Sequence, residues 1–359
     1  MVRKFFSCIA ASVLFCAGLS AQVFIIERGS NTTLTFTNIK AAVDALQDND
    51  QLYIPPGEYS LDGYTWEGYE ETQNNSNTLM VNKKVSIYGA GYSNGANSSV
   101  ITGGDFVIGK DASGSLITGI RFGGSSYGFI LDNVSNVSVT RCKIDNSFSL
   151  HGIGNNINIS ECDIYRLSTT TSSYANLGGQ GLSASFSKCI FRYSTNRTFR
   201  TAMVSNSIFL NNGGGTSFYS GFYYNNTSFH NNIFIVSATV TNSSCSITSD
   251  FGSFSHNLWV GGYPSSNAEY NNTFSDEIER EPYANVFVDP ANGDYHLKTE
   301  CTGKNAGSDG NDVGIYGTAI PFKESKLPSI PHFVTKVISS ETDATGKLPV
   351  NIKIEAQDR

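Results

Sequence analysis

The stretch VSVTRCKIDNSFSLHGIGNNINISECDI, residues 137–164, holds two copies of one short pattern, VSVTRCKI at 137–144 and INISECDI at 157–164. An apolar residue (Val139, Ile159) is followed three positions later by a small residue and two beyond that by an aliphatic one. Working outward, the pattern returns as FSKCIF from Phe186, VSNSIF from Val204, FHNNIF from Phe229 and FSHNLW from Phe254. Two looser copies precede them, IYGAGY from Ile87 and ITGIRF from Ile117. The leading residues are 30, 22, 20, 27, 18, 25 and 25 positions apart. A hairpin repeat needs fewer residues, and a helical repeat shows a 3.6-residue period that is missing. Coils of this size with a fixed corner and turns of variable length predict an all-β solenoid, a right-handed parallel β-helix.

Stacked coils turn each position of the pattern into a column with a spacing of about 4.8 Å. The leading column and the column Tyr92, Phe122, Ile144, Ile164, Phe191, Phe209, Phe234 and Trp259 read as core. Between them runs Ala90, Ile120, Cys142, Cys162, Cys189, Ser207, Asn232 and Asn257. Stacked amides bond to one another, and Asn also tolerates the left-handed conformation of a tight corner. The column Ile190, Ile208, Ile233 and Leu258 continues Arg121, Lys143 and Asp163 on the outward side. Exposed, it would be unfavourable, so a cover is expected, and the strands expected within 332–356 are the candidate, with a partner protein as the alternative.

The chain opens with Arg3 and Lys4, an apolar run from Phe5 to Gly18, and Leu19-Ser20-Ala21. This reads as a secretory signal over residues 1–21, too short to span a membrane, and no other segment is long enough to insert. Without Arg3 and Lys4, 22 basic residues face 31 acidic ones, a formal charge of −9. That balance disfavours nucleic acid as a partner. Five cysteines remain after cleavage, an odd number with no CxxC, and zinc is not expected. Cys142, Cys162 and Cys189 are expected as a ladder of buried free thiols. Ile39, Val43 and Leu46 fall on one helix face behind Asn38, an amphipathic cap for the open end of the solenoid. The β-helix is expected over residues 22–318, with a strand extension over 319–359 packing on it.

The helix followed by Pro56-Gly57-Glu58-Tyr59 resembles the N-terminal cap of the pectate-lyase-like right-handed β-helix superfamily, and the hexads resemble its repeats. Asp289-Pro290, Gly293-Asp294-Tyr295-His296-Leu297, Asn305-Ala306-Gly307 and Asp312-Val313-Gly314-Ile315-Tyr316-Gly317 are similar to the closing segment of secreted Bacteroides-type members. The resemblance covers roughly residues 36–318. It implies the fold, and a superfamily that holds lyases, hydrolases, esterases, epimerases and non-catalytic surface proteins. Its lyases use a Lys or Arg base, often with calcium held by carboxylates. Lys143, between Arg121 and Asp163 on consecutive coils, is the candidate base, with these three as the catalytic set. Its hydrolases carry paired aspartates and a Gly-His-Gly. This chain has Leu150-His151-Gly152 and no Asp-Asp pair, which counts against that class.

Between Asp163 and Asp250 there is no acidic residue. Lys188, Arg192, Arg197 and Arg200 lie there, with Tyr193, Tyr223 and Tyr224 among them. Guanidinium groups pair with carboxylate or sulfate, and aromatic faces stack on sugar rings. The expectation is a secreted protein that binds an acidic polysaccharide through these residues. It would have no resident cofactor and no metal site, calcium entering only with a lyase activity. Lyase action on a uronic-acid glycan and a structural or adhesive surface role are the alternatives. The sequence leaves oligomeric state open.

Overall fold

The computed structural model describes residues 23–355 except 30–31, 65–76, 93–96, 124–127, 153, 169–181, 193–196, 211–221, 240–242, 247–249, 266–270, 329–331, 339–340, 343–344 and 349. The chain is a parallel β-helix. The first ladder runs through Gln51–Tyr53, Ser86–Tyr88, Leu116–Thr118, Ser138–Thr140, Gly154–Ser160, Leu182–Ser187, Ala202–Ser205, Phe222–His230, Asp250–Ser255 and Thr273–Ser275. The second runs through Gly57–Ser60, Ser99–Thr102, Ile120–Phe122, Lys143–His151, Asp163–Ser168, Ile190–Phe191, Ile208–Phe209, Ile233–Ile235, Leu258–Val260 and Ile278–Glu281. A shorter third face joins Thr78–Val81, Asp105–Ile108 and Gly128–Asp132 to the far half of Lys143–His151.

All eight leading residues fall in one register-matched column, Ile87 to Ile117 to Val139 to Ile159 to Phe186 to Val204 to Phe229 to Phe254. Leu52 extends it at one end and Phe274 at the other. The second core column runs from Phe122 to Trp259 as the pattern predicts. Tyr92 is the exception. The chain continues past it to Ser99–Thr102, and Ile101 takes the place opposite Phe122. Identical rings one rung apart stack nearly flat. Phe209 and Phe234 have centroids 4.5 Å apart at 12°, and Phe234 and Trp259 4.5 Å apart at 13°.

One left-handed residue turns the chain from the first ladder to the second. It recurs as Gly119, Arg141, Glu161, Lys188, Asn206, Asn231, His256 and Asp276, each two positions after the leading residue of its coil. Asn232 and Asn257, one place later, therefore do not supply the left-handed corner that their residue type suggested. They form the amide ladder instead. The Asn257 side-chain oxygen accepts from the Asn232 side chain at 3.0 Å and from its backbone N–H at 2.9 Å. Upstream in the same column the thiols of Cys142, Cys162 and Cys189 are free and buried, each donating to a carbonyl of the preceding coil at 3.6–3.9 Å. From Cys142 to Asn257 these rungs thus pass a polar group to a neighbouring coil inside an otherwise apolar wall.

At the N-terminal end the Asn38 side chain caps the helix Ile39–Asp44 by accepting from Ala41 N–H at 3.1 Å. Ile39, Ala42, Val43 and Leu46 are buried over the first coil. The antiparallel pair Phe24–Arg28 and Thr32–Phe36, which the sequence pattern did not signal, extends the first ladder beyond Gln51–Tyr53.

Among the described residues, the aliphatic column Ile190, Ile208, Ile233 and Leu258 is covered by the closing segment. It forms a second apolar cluster with Val286, Phe287, Tyr295, Leu297, Val313, Ile315 and Phe322. The closing segment fits tightly here, since a Cβ on Gly314 (φ 84°) would lie 2.6 Å from Ile233 Cδ1. Residues 306–328 then run back along the corner as a strap. Ser308 and Asn231 exchange two hydrogen bonds, Lys188 Nζ donates to Ile320 O at 2.9 Å and Arg141 donates to Leu327 O at 2.9 Å. The strands His332–Ile338 and Val350–Glu355 pair with each other in antiparallel register. Among the described residues no helix is long and apolar enough to cross a membrane.

Candidate functional site

The three residues chosen as a catalytic set do lie side by side, with Arg121, Lys143 and Asp163 register partners on consecutive strands. Their side chains are committed to two separate ion-pair groups. Asp145 lies between Arg121 at 2.5 Å and Lys143 at 3.3 Å. Asp163, buried, takes both Arg192 Nε at 2.5 Å and Arg192 Nη2 at 2.7 Å. Burial works against the Arg192 cation, yet the paired Asp163 carboxylate raises its pKa further above the usual guanidinium range. Lys143 thus faces a carboxylate, not an open cavity. The arrangement reads as charge pairing that keeps three coils in register.

Lys188 and Arg192 likewise make ion pairs within the chain. Lys188 sits at a left-handed corner and pairs with Glu161 at 3.3 Å, and Glu161 also takes Arg141 at 2.9 Å. These three half-buried or buried charges anchor the strap. Removing one partner of such a group leaves a charge with no counter-ion in a poorly hydrated place, which is why they are poorly suited to a substrate that comes and goes.

Arg197 and Arg200 lie elsewhere, on the strand Arg197–Arg200, which pairs with Phe222–His230. The register sets Arg197 opposite Phe222, Thr198 opposite Tyr223, Phe199 opposite Tyr224 and Arg200 opposite Asn225. Four of the residues expected to bind substrate therefore share two adjacent strands of the first sheet. The side chains of Arg197, Arg200, Tyr223 and Tyr224, and all of Tyr193, lie outside the described residues, as does the signal segment 1–21.

The sequence reading missed the surface that this patch adjoins. The leading column faces inward, so its neighbours on either side face out. On one side stand Ser138, Asn158, Ser185, Met203, Ser228, Ser253 and Thr273, and on the other Thr118, Thr140, Ser160, Ser187, Ser205, His230, Ser255 and Ser275. Hydroxyls bond along the axis, Thr140 to Thr118 at 2.9 Å, and Ser185 donates to Asn158 at 2.6 Å. Burial and the neighbouring His256 hold the His230 pKa below its usual value, so these two rows carry no charge at neutral pH. The period-2 alternation of the hexads carried this signal. It was hidden because Ser, Thr and Asn also mark turns.

Phe251 stands at the edge of this sheet, opposite Asn226, between the register pairs Asn225–Asp250 and Thr227–Gly252. It is 56% exposed and left-handed at φ 56°. A bulky residue in that region is strained, and the apolar ring gains nothing from water.

The polar column ends at Glu277. Its carboxylate accepts from Asn257 N–H at 3.3 Å, from the Asn257 side chain at 3.0 Å and from Trp259 Nε1. Burial outweighs these donors and pushes its pKa up to about 7. Its folded value lies above its unfolded value of 4.5. Its contribution to stability is therefore complete below pH 4.5, is lost as pH rises to about 7, and stays lost above that. At 1.36 kcal/mol per pK unit this is on the order of 3 kcal/mol. Denaturant unfolding at pH 5 and pH 8 should show wild type losing much of its stability at the higher pH. Glu277→Gln should remove most of that pH difference even though its amide suits the Trp259 donor less well. An equal pH dependence in both would show that Glu277 does not titrate in this range.

No protein-family model and no curated protein matches the chain.

Proposed function

We propose that this is a secreted, non-catalytic β-helix protein of the pectate-lyase-like superfamily, Bacteroides-type, that binds an acidic polysaccharide. What carries the reading is the continuity of the first sheet. Its outward rows are mainly hydroxyl and amide groups at one-rung spacing, interrupted by Leu116, Met203 and His230, and its register joins the strand bearing Arg197 and Arg200 to the strand bearing Tyr223 and Tyr224. Uncharged hydroxyl rows offer many shallow hydrogen bonds to a long polymer. The arginines supply bidentate contacts to uronate carboxylates, and aromatic faces, Phe251 among them, take the sugar rings. The commitment of Lys143 to Asp145 and of Asp163 to Arg192 favours binding over β-elimination.

The test is isothermal titration with polygalacturonate, alginate and a neutral glucan. Affinity for the two uronates should exceed that for the glucan and fall as salt rises, because exposed charges are screened over about 8–10 Å. The double variant Arg197→Glu and Arg200→Glu should weaken uronate binding about tenfold or more, with circular dichroism unchanged. Equal affinity for neutral and uronic polymers would sink the acidic-glycan reading. Release of unsaturated product by wild type would make it a lyase, and absence of binding to every polymer would leave the structural or adhesive role.

A further inference from the structure

The strand Asp294–Leu297 of the closing segment and the strap meet at three side chains, Asp294, His296 and Glu324. His296 Nδ1 lies 2.7 Å from Asp294 Oδ1 and 3.6 Å from Glu324 Oε1, and one ligand atom from each residue falls within 4.8 Å of the others. One neighbour, Tyr316, restricts the arrangement through two contacts. The His296 ring stacks on Tyr316 with centroids 3.7 Å apart at 9°, and the Tyr316 hydroxyl donates to Glu324 Oε1 at 3.2 Å. The imidazole plane and one carboxylate oxygen are thereby held from outside the trio, by a residue of the strap.

We infer that Asp294, His296 and Glu324 form a site for a divalent transition-metal ion of the zinc type. The donor set is one imidazole nitrogen and two carboxylate oxygens, which suits a borderline ion and not calcium, whose cages need six or more oxygens. Tetrahedral zinc with bonds of about 2.1 Å sets its ligand atoms roughly 3.4 Å apart. The observed 2.7 and 3.6 Å separations bracket that value, and the third lies within 4.8 Å, so side-chain adjustment alone can bring the three atoms round one ion. All three residues keep solvent access, and the fourth position would hold water. Because Glu324 belongs to the strap and the other two to the closing strand, the ion would tie the strap down where it passes the second apolar cluster. This inference is independent of the glycan reading.

The test uses zinc chloride on the metal-stripped full chain, with calcium and magnesium chlorides as comparators, read by calorimetry and thermal melting. One zinc per chain, with an affinity in the micromolar range or better and a melting point raised by several degrees, is expected. Calcium and magnesium should do neither. His296→Ala and Glu324→Gln should each lose tenfold or more in zinc affinity and abolish the thermal shift, while melting as wild type does without metal, since both side chains are exposed. Tyr316→Phe should also weaken binding by freeing Glu324. The neighbouring pair His230 and His256 is a competing site, and zinc binding that survives His296→Ala would locate the ion there and overturn the assignment. No zinc binding at about 100 µM would reduce the trio to a hydrogen-bonded surface cluster and overturn it as well.

Discussion

Phe234→Ala should lower the unfolding free energy by about 3–5 kcal/mol, the largest effect expected of a single core truncation in this chain. Phe234 is fully buried and lies flat between Phe209 and Trp259 at 4.5 Å on either side, while Phe229 meets it edge-on at 5.9 Å across the coil. Those neighbours are themselves fixed by the rungs above and below. The parallel ladders leave the backbone no freedom to slide a ring into the gap, so the cavity stays open and its cost stays high. Denaturant unfolding of the purified variant measures this directly. A loss under 1 kcal/mol would mean that the aromatic columns repack. In a solenoid the loss should also be felt mainly by adjacent coils. Hydrogen exchange should therefore rise first between about residues 205 and 260.

The second large effect separates two pieces of the C-terminal region. A chain ending after Asn285 lacks Val286, Phe287, Leu297, Val313, Ile315 and Phe322, and so uncovers Ile190, Ile208, Ile233 and Leu258 together. An apolar surface of that extent should drive aggregation or strong binding of a hydrophobic dye. A chain ending after Pro328 keeps the closing segment and the strap and loses only the strands that pair with each other. It should stay soluble and melt within a degree or two of the full chain. Aggregation of the longer truncation, or good behaviour of the shorter one, would show that the cover has been assigned to the wrong segment.

The sequence alone determined the coil. An apolar residue, a corner and a second apolar residue at fixed spacing leave the chain one economical way to bury both columns, and stacking those columns is what a parallel β-helix does. The column from Ile87 to Phe254, the buried thiols and the Asn38 cap were all legible because each depends on neighbours within one coil or on identical positions of adjacent coils. The first copy failed at Tyr92 because the pattern cannot distinguish a corner from an insertion after it. In the asparagine column the amide stacking was legible and the left-handed corner was not. Residue type says that Asn accepts a left-handed backbone, but only the turn geometry shows that the left-handed place lies one residue earlier, where Arg141, Glu161 and Lys188 also stand. The closing segment was matched to a family pattern without its physical role. That role, covering Ile208 and Ile233 and returning along the corner to Arg141, joins residues more than a hundred positions apart. The same long-range contacts decided the fate of the charges. A sequence shows that Lys143, Asp163, Lys188 and Arg192 occur close together. It does not show which carboxylate each cation reaches, because that depends on how far the chain has climbed the solenoid and on what the strap brings back to it. The tertiary structure set Lys143 against Asp145, Lys188 against Glu161 and Arg192 against Asp163, and it brought Asp294, His296 and Glu324 to a single point.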